Sequence, residues 1–382
     1  DVYKSWRECV VSAAELQSVG LKDFTMQFLI GKGATGDVFS AIEKATGRKV
    51  AIKVMKKSRI AESDKALRRL VNERLILELL QGFPLSLQLH SAFQTEENLY
   101  IVTDFCQGGD LERYLKRRNN RLELWQVKKI AAEITIALEF LHKHNIIYRD
   151  LKLENVLLDD FGSVRLADFG LSKLLRGGAD VLSHSFCGTL GYIAPEMVEG
   201  QGYGMEIDTW ALGCVLFKLL AGRTPYYARS KESYFRAVSS GRVLFPEEVP
   251  KDARDLISKL MSVDPTSRPR WAEIKTHAFF ADVDWSLVAR GEYMEDKSMF
   301  LRAESVKMTD DSLLTLPKHK TAVPKKESNW WDSGLPRVMS AMLLGEKKPP
   351  RCMAIPGFLF SMTSSETLSP QQSLGSTLSL AS

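Results

Sequence analysis

The hydrophobic pattern of this 382-residue chain changes period at the stretch "CQGGD", residues 106–110, and that change limits the possible folds more than any other feature. From Phe24 to about Val54 the sequence runs in short alternating apolar segments, "FTMQFLIGKG", "DVFSAIEKATG" and "RKVAIKVMK", with Gly-containing turns between them. A period of two with turns at that spacing predicts a meander of antiparallel strands. A helix follows from near Asp64: in "KALRRLVNERLILELL" the residues Leu67, Leu70, Val71 and Leu75 recur at helical spacing with charges between them. Two further strand-like runs, "LQLHSAFQT" and "NLYIVTDF", close this part.

Beyond Asp110 long helical stretches take over: "LERYLKRR", "LWQVKKIAAEITIALEFLHKHN", "TWALGCVLFKLLAG" and "PKDARDLISKLMS". A small β-rich half joined by a short Gly-bearing connector to a larger helical half predicts a two-lobed α+β body with a ligand at the junction. The expected boundaries are an N-terminal extension over 1–21, a main domain over 22–281 and a tail over 282–382. Within the main domain the small lobe spans 22–103, the hinge 104–109 and the large lobe 110–281. The end of the tail, "SMTSSETLSPQQSLGSTLSLAS", is Ser/Thr-rich and nearly uncharged, and is expected to be disordered.

Composition excludes several classes. No apolar run reaches the roughly 18 residues that a membrane helix needs; "TWALGCVLFKLLAG" is interrupted by Lys218 and reads as a buried helix. The net charge of +5 is spread along the chain, which argues against nucleic-acid binding. Five cysteines, far apart and without a C-x-x-C pair, argue against a disulfide framework and a zinc site, so a reducing compartment is expected. The chain opens with Asp1 and shows no signal peptide, so a non-secreted protein, in fragment or processed form, is expected.

Four motifs carry chemistry. "GKGATGDVF" sets Gly31, Gly33 and Gly36 in a G-x-G-x-x-G array. A dinucleotide fold needs a helix directly after such glycines, and here a strand follows, ending in "VAIK" with Lys53. A Gly loop lets backbone approach phosphates, and a lysine on the next strand reaches their oxygens. Glu73, on the helix, is the candidate to hold that lysine; the plainer reading is a solvated helix carboxylate. "YRDLKLEN", residues 148–155, places Asp150, Lys152 and Asn155 together, where a carboxylate can take a hydroxyl proton, a lysine can neutralise a moving phosphoryl group and an amide can bind a metal ion.

The tripeptide Asp-Phe-Gly then occurs twice, at 160–162 and 168–170. Between the copies lies "SVRLA", and before the first lies "NVLL", two short strands that "DDFG" joins as a polar, Gly-ended turn. The first copy is hairpin punctuation. The second leaves a strand that runs back beside Asn155, so Asp168 and Asn155 can share one Mg2+.

Gly loop, VAIK, helix Glu, YRDLKLEN and DFG in this order resemble the signature set of the eukaryotic protein kinases, over roughly Phe24 to Phe280. "YRDLKLEN", with Tyr for the more common His and Leu for the more common Pro, is similar to the AGC group, as are "SFCGTLGYIAPE" and "HAFFADVDW". Protein kinases B and C and the ribosomal protein kinases are the relatives it resembles. The resemblance implies a protein kinase-like fold and ATP held around Ile30, Gly31, Lys32, Gly33, Ala34, Gly36, Val38 and Ala51. It places Lys53 on the phosphates with Glu73 as its partner, and Asp104 and Cys106 in the hinge "TDFC" that receives adenine. Asp110 stands near the ribose, and Glu154 joins the nucleotide-side set; both also favour Arg or Lys before the acceptor. Asp150 becomes the base, Lys152 a phosphate contact, and Asn155 and Asp168 the Mg2+ ligands. Lys152 with "GTLGY" resembles the serine/threonine kinases.

Ser185 corresponds to the activation-loop phosphosite, with Arg149 to pair the phosphate, and Glu196 and Arg268 resemble the family's buried structural ion pair. The tail departs from the pattern. "IPGFLF" resembles the hydrophobic motif that folds back onto the small lobe, with Phe358 and Phe360 as anchors, but Leu359 replaces the phosphorylatable residue and Ile355 the first aromatic. "NWWD" resembles the group's aromatic-acidic segment near ATP, with Trp330 and Trp331 as anchors for a partner the equal alternative, and Trp6, Val10 and Ala14 are expected to form one face of a docking helix. Arg236 falls near a position where some relatives carry an acidic residue that reads basic substrates, so the preference of Glu154 and Asp110 for Arg or Lys before the acceptor is expected to be weaker. The resulting expectation is a monomeric, cytoplasmic or nuclear serine/threonine kinase in intracellular signalling. Its substrates are proteins with Ser or Thr near basic residues, and its activator is an upstream kinase of the phosphoinositide-dependent type. A catalytically silent scaffold is the alternative, against which stand Lys53, Asp150, Asn155 and Asp168.

Overall fold

The computed structural model describes residues 19–33, 36–61, 64–175, 182–227, 230–293 and 360–361. Ala34, Phe358, Trp330, Trp331, the stripe of Trp6, Val10 and Ala14, and the Ser/Thr-rich end lie outside the described residues. Contacts divide the chain into two compact units: Asp1–Arg59 with His90–Thr103 and Thr315–Ser382, and Ile60–Leu89 with Asp104–Leu314.

The first unit is a sheet. Strands β1 (Phe24–Lys32), β2 (Asp37–Glu43) and β3 (Lys49–Lys56) form the expected meander, and β4 (Leu89–Gln94) and β5 (Asn98–Asp104) continue it in the order β1-β2-β3-β5-β4. Alternation sends Phe24, Ala41, Val50, Ile52, Phe93, Tyr100 and Val102 to one buried face. Phe93 stacks on both Phe24 and Tyr100, with centroids 5.9 and 4.8 Å away, so three rings form the centre of this core. The β2–β3 turn closes where Gly47, at φ 70, donates its N–H to Glu43 O at 2.8 Å. The sheet ends in the short strand Phe360–Ser361, which pairs antiparallel with the free edge of β4, Phe360 opposite Ala92 and Ser361 opposite Ser91.

Helix α1 (Lys57–Ala61) leads on to α2 (Asp64–Leu79), which belongs to the second unit. There α2 is tied to the segment after the second Asp-Phe-Gly: Asn72 Nδ2 donates to Ser172 O at 2.7 Å. The remaining helices are α3 (Leu111–Arg117), α4 (Leu124–Lys143), α5 (Pro195–Val198), α6 (Glu206–Ala221), α7 (Lys231–Ser239), α8 (Lys251–Leu260), α9 (Trp271–Lys275) and α10 (Trp285–Arg290). Helix α6 buries 12 of its 16 residues, as its nearly continuous apolar sequence requires. Lys218, the charge that breaks that run, lies near its end and pairs with Glu112 at 2.6 Å. Among the described residues no helix is long and apolar enough to cross a membrane.

Between these helices lie β6 (Gly109–Asp110), β7 (Ile146–Ile147), β8 (Val156–Leu158), β9 (Val164–Leu166) and β10 (Lys173–Leu174). Strands β8 and β9 form the expected hairpin, Val156 opposite Leu166. Its turn holds the first Asp-Phe-Gly: Gly162, at φ 70, donates to Asp159 O at 3.1 Å, and Asp159 Oδ1 accepts from the N–H groups of Phe161 and Ser163. A buried pair on α4 fastens this hairpin. Lys129 Nζ bonds both Glu133 Oε1 (2.6 Å) and Gly162 O (3.0 Å), and Glu133 Oε2 accepts from Val164 N at 2.9 Å. Burial pushes the Glu133 carboxyl upward, against the pull of Lys129.

Candidate active site

In the first unit the register sets Val38 opposite Gly31 on one side and opposite Lys53 on the other, so the Gly loop and the lysine are neighbours through one residue. The loop closes with Gly33 N donating to Gly36 O at 2.9 Å. A Cβ at Gly36 would stand 2.5 Å from Val54 O and 2.6 Å from Met55 Cγ, so a side chain there would force the backbone of β3 aside.

In the second unit the motif 148–155 becomes a loop built around strain. Arg149 sits in the left-handed region at φ 69, a conformation that costs an ordinary residue about 1–2 kcal/mol. Asp208 of α6 holds it there, Oδ2 accepting from Tyr148 N and Oδ1 from Arg149 N, both at 2.8 Å. The next residue, Asp150, is buried and receives donors on both oxygens. Lys152 Nζ (2.8 Å) and Asn155 Nδ2 (2.9 Å) reach Oδ2, and Thr189 Oγ1 reaches Oδ1 at 2.9 Å. Lys152 Nζ also donates to Thr189 Oγ1 at 2.8 Å. The motif thus brings Asp150, Lys152 and Asn155 together as the sequence predicts, and adds Thr189.

The two Asp-Phe-Gly copies diverge in environment. Phe161 is 56% exposed on its turn; Phe169 is 0% exposed and meets the Tyr148 ring edge-on at 5.4 Å. Ala167 N donates to Asn155 O at 3.0 Å, which puts the second copy beside Asn155. Asp168 takes up φ 52, a left-handed conformation that Asp tolerates, and its Oδ1 accepts from Gly170 N at 3.2 Å while the side chain stays exposed. A Cβ on Gly170 would lie 3.8 Å from Glu73 Oε2. Glu73 is itself only 5% exposed, so the solvated-carboxylate reading fails. At the end of β5, Asp104 N donates to Gln88 O and Asp104 Oδ2 accepts from Gln88 N, both at 3.2 Å. Burial first, then the Asp104 charge, push the Cys106 thiol far up, so it is a neutral packing group. Asp110 caps α3, accepting from Arg113 N at 2.8 Å, and pairs with the Arg113 guanidinium.

The donor set fits a magnesium ion. Both hydrogens of the Asn155 amide are directed to Asp150, to its backbone O and Oδ2 at 2.9 Å, which leaves the amide oxygen for a cation. Among the described residues no three His, Cys, Asp or Glu side chains gather into a metal cage. An ion held by one carboxylate, one amide and the phosphates of its substrate suits Mg2+, which keeps few protein ligands.

The protein kinase domain family matches residues 24–280. The chain belongs to that family. This kinase chain is 38% identical to Protein kinase C of Drosophila melanogaster over 69% of its own length and 36% of that protein. It is 36% identical to a RAC family serine/threonine-protein kinase homolog of Dictyostelium discoideum, over 73% of this chain and 65% of the relative. With Protein kinase C zeta type of Oryctolagus cuniculus the identity is 36%, over 72% and 48%. The kinase chain therefore spans between 36% and 65% of the length of these relatives.

Other polar groups of this kinase domain escaped the reading of its sequence. Thr189 stands in the quoted "GTLGY" without a role, and a hydroxyl in a loop gives no periodic signal. Asp208 left a trace, since a carboxylate inside "EIDTWALGCVLF" is costly to bury and demands partners. Arg149 Nη1 contacts Ser185 Oγ (2.9 Å), Tyr203 OH (3.2 Å) and Ser183 Oγ (3.4 Å). Tyr203 OH in turn donates to Ser185 O at 2.7 Å, and Ser183 and Tyr203 exchange backbone bonds of 2.8 and 2.9 Å. Burial and then the Arg149 charge hold the Lys173 ammonium below the usual lysine range, so two cations lie near each other here. Glu196 and Arg268 form the expected pair, bidentate at 2.7 Å on both bonds.

Proposed function

We propose that the chain is a serine/threonine protein kinase that moves the γ-phosphoryl group of ATP to Ser or Thr hydroxyls of protein substrates. The observation that carries this reading is the buried Asp150 carboxylate, oriented by Lys152, Asn155 and Thr189 at 2.8–2.9 Å. In the proposed step Asp150 takes the proton of the substrate hydroxyl as its oxygen bonds to the γ-phosphorus. The bond from that phosphorus to the bridging oxygen breaks, and its electron pair leaves with ADP. Lys152 Nζ, placed between Asp150 and Thr189, offsets the charge of the moving phosphoryl group. Asn155 and Asp168 are the groups that would hold Mg2+, whose chemistry is to neutralise the phosphate oxygens. Lys53, with Glu73 as its partner, is assigned to the phosphates, and Ile30, Gly31, Lys32, Gly33, Gly36, Val38, Ala51, Asp104 and Cys106 to the nucleotide.

The substrate is assigned as a protein segment with Arg or Lys before the acceptor, read by the exposed Glu154. Asp110 contributes less than its position suggests, because Arg113 already engages its carboxylate. The reading is tested by incubating the chain with Mg-ATP and a serine peptide carrying upstream arginines, beside an Asp168→Ala control. Incorporation in the parent and background in the control is the expected result; background in both returns the silent scaffold.

Ser185 is assigned as a site for an upstream kinase, since it is exposed and faces Arg149, with Lys173 near that arginine. A phosphate there gains charge-assisted bonds that order the loop through Thr189 to Asp150. Ser185→Ala is expected to lower kcat/KM of the phosphorylated preparation by about 10- to 100-fold, the equivalent of one strong charged hydrogen bond. Steady-state kinetics on preparations of known phosphate content check this, and equal values would remove the switch.

A further inference from the structure

Trp271 opens helix α9, and its indole Nε1–H donates to His142 Nδ1 at 3.2 Å. The two rings meet edge to face with centroids 5.1 Å apart. An indole nitrogen can only donate, so His142 Nδ1 must present its lone pair and the ring proton sits on Nε2. Nε2 lies 2.8 Å from Asp208 Oδ2, and the Asp208 side chain is 1% exposed. That carboxylate is the one that accepts from Tyr148 N and Arg149 N, the two residues before Asp150.

We propose that Trp271 is a positioning residue for catalysis: its N–H fixes His142 in the Nε2–H tautomer, which orients Asp208, which in turn holds the strained loop carrying Asp150. The proposal rests on the reading of Asp150 as the base. Without a donor at Nδ1 the imidazole proton can occupy either nitrogen. With the proton on Nδ1, a bare Nε2 lone pair would face a buried carboxylate at 2.8 Å, and that contact is repulsive. The carboxylate then turns, one of its two loop N–H groups loses its acceptor, and the left-handed Arg149 has less to hold it. Trp271 is 129 residues from His142 in sequence, so only the folded chain makes this link.

Trp271→Phe tests it, because phenylalanine keeps the aromatic edge and removes the N–H. The expected result is a fall in kcat of about 3- to 10-fold, the scale of one hydrogen bond. KM for ATP and for peptide should stay unchanged. Nitrogen-15 correlation spectra of the imidazoles should show His142 with Nδ1 bare in the parent and as a mixture of tautomers in the variant. The proposal is overturned by a protonated Nδ1 in the parent, which needs no variant to fold. It is equally overturned by parental kcat in Trp271→Phe, by an effect confined to KM, or by a slow variant whose His142 spectrum is unaltered. Asp150→Asn in the same assay separates the two readings: an inactive Asp150→Asn beside a fully active Trp271→Phe removes only the tryptophan link, whereas a fully active Asp150→Asn removes both.

Discussion

An Asp168→Ala enzyme is expected to lose about 10³-fold or more in kcat, while its melting temperature falls by only about 5 °C, from one lost bond and an alanine at a left-handed φ. The two numbers differ because the side chain does little for the fold. Asp168 is exposed, and its carboxylate accepts one bond, from Gly170 N, of the kind whose loss at a helix N-terminus costs about 1 kcal/mol. Its neighbours hold the segment without it: Phe169 is fully buried against Tyr148, and Asn72 ties the chain at Ser172. What the substitution removes is a negative oxygen beside Asn155, where a divalent ion would balance the phosphate charge. Removing divalent cations with a chelator should bring the parent to the same residual rate and leave the variant's rate unaltered. Parent and variant turning over equally in Mg-ATP would show that the carboxylate binds no metal.

Glu196→Gln is expected to have the largest effect on stability, about 3–5 kcal/mol, or a fall in melting temperature of roughly 10 °C. Glu196 and Arg268 are both buried, and the guanidinium uses four of its five N–H donors: two bonds to the carboxylate and one each to Ser262 O and Glu206 O, with the Trp210 ring 5.2 Å away. Taking the charge from one partner strands the other where water cannot reach it. A buried pair is nonetheless weak evidence of net stabilisation, because desolvating two ions offsets most of their attraction. Replacing both partners together, Glu196→Met with Arg268→Leu, is therefore expected to recover much of what the single change loses. Thermal melts of the single and double variants measure it; a double variant as unstable as the single one would put the damage in packing instead of charge.

Local pattern was enough for the elements. The alternation from Phe24 to Val54 encodes β1 to β3, the stripe from Leu67 to Leu75 encodes α2, and the continuous apolar run with Lys218 near its end encodes the buried α6. The two copies of Asp-Phe-Gly were separable for the same reason: the first lies between two strand-like runs four or five residues long, and a turn is a local event. The polar loop over 148–155 was also legible, since Asp150, Lys152 and Asn155 lie within six residues and cannot spread far apart.

Sequence by itself determined which residues alternate, which faces turn inward and which polar groups share a loop, because these depend on neighbours two to five positions away. Tertiary structure alone decided who meets whom across long separations: Asp208 under Tyr148 and Arg149, Thr189 on Asp150, Trp271 on His142, Arg268 on Glu196. A buried polar residue announces that it needs a partner but not which one, since any donor of the right geometry would satisfy it. The choice is made when the helices pack and bring particular partners, often two or three, within reach of each such group.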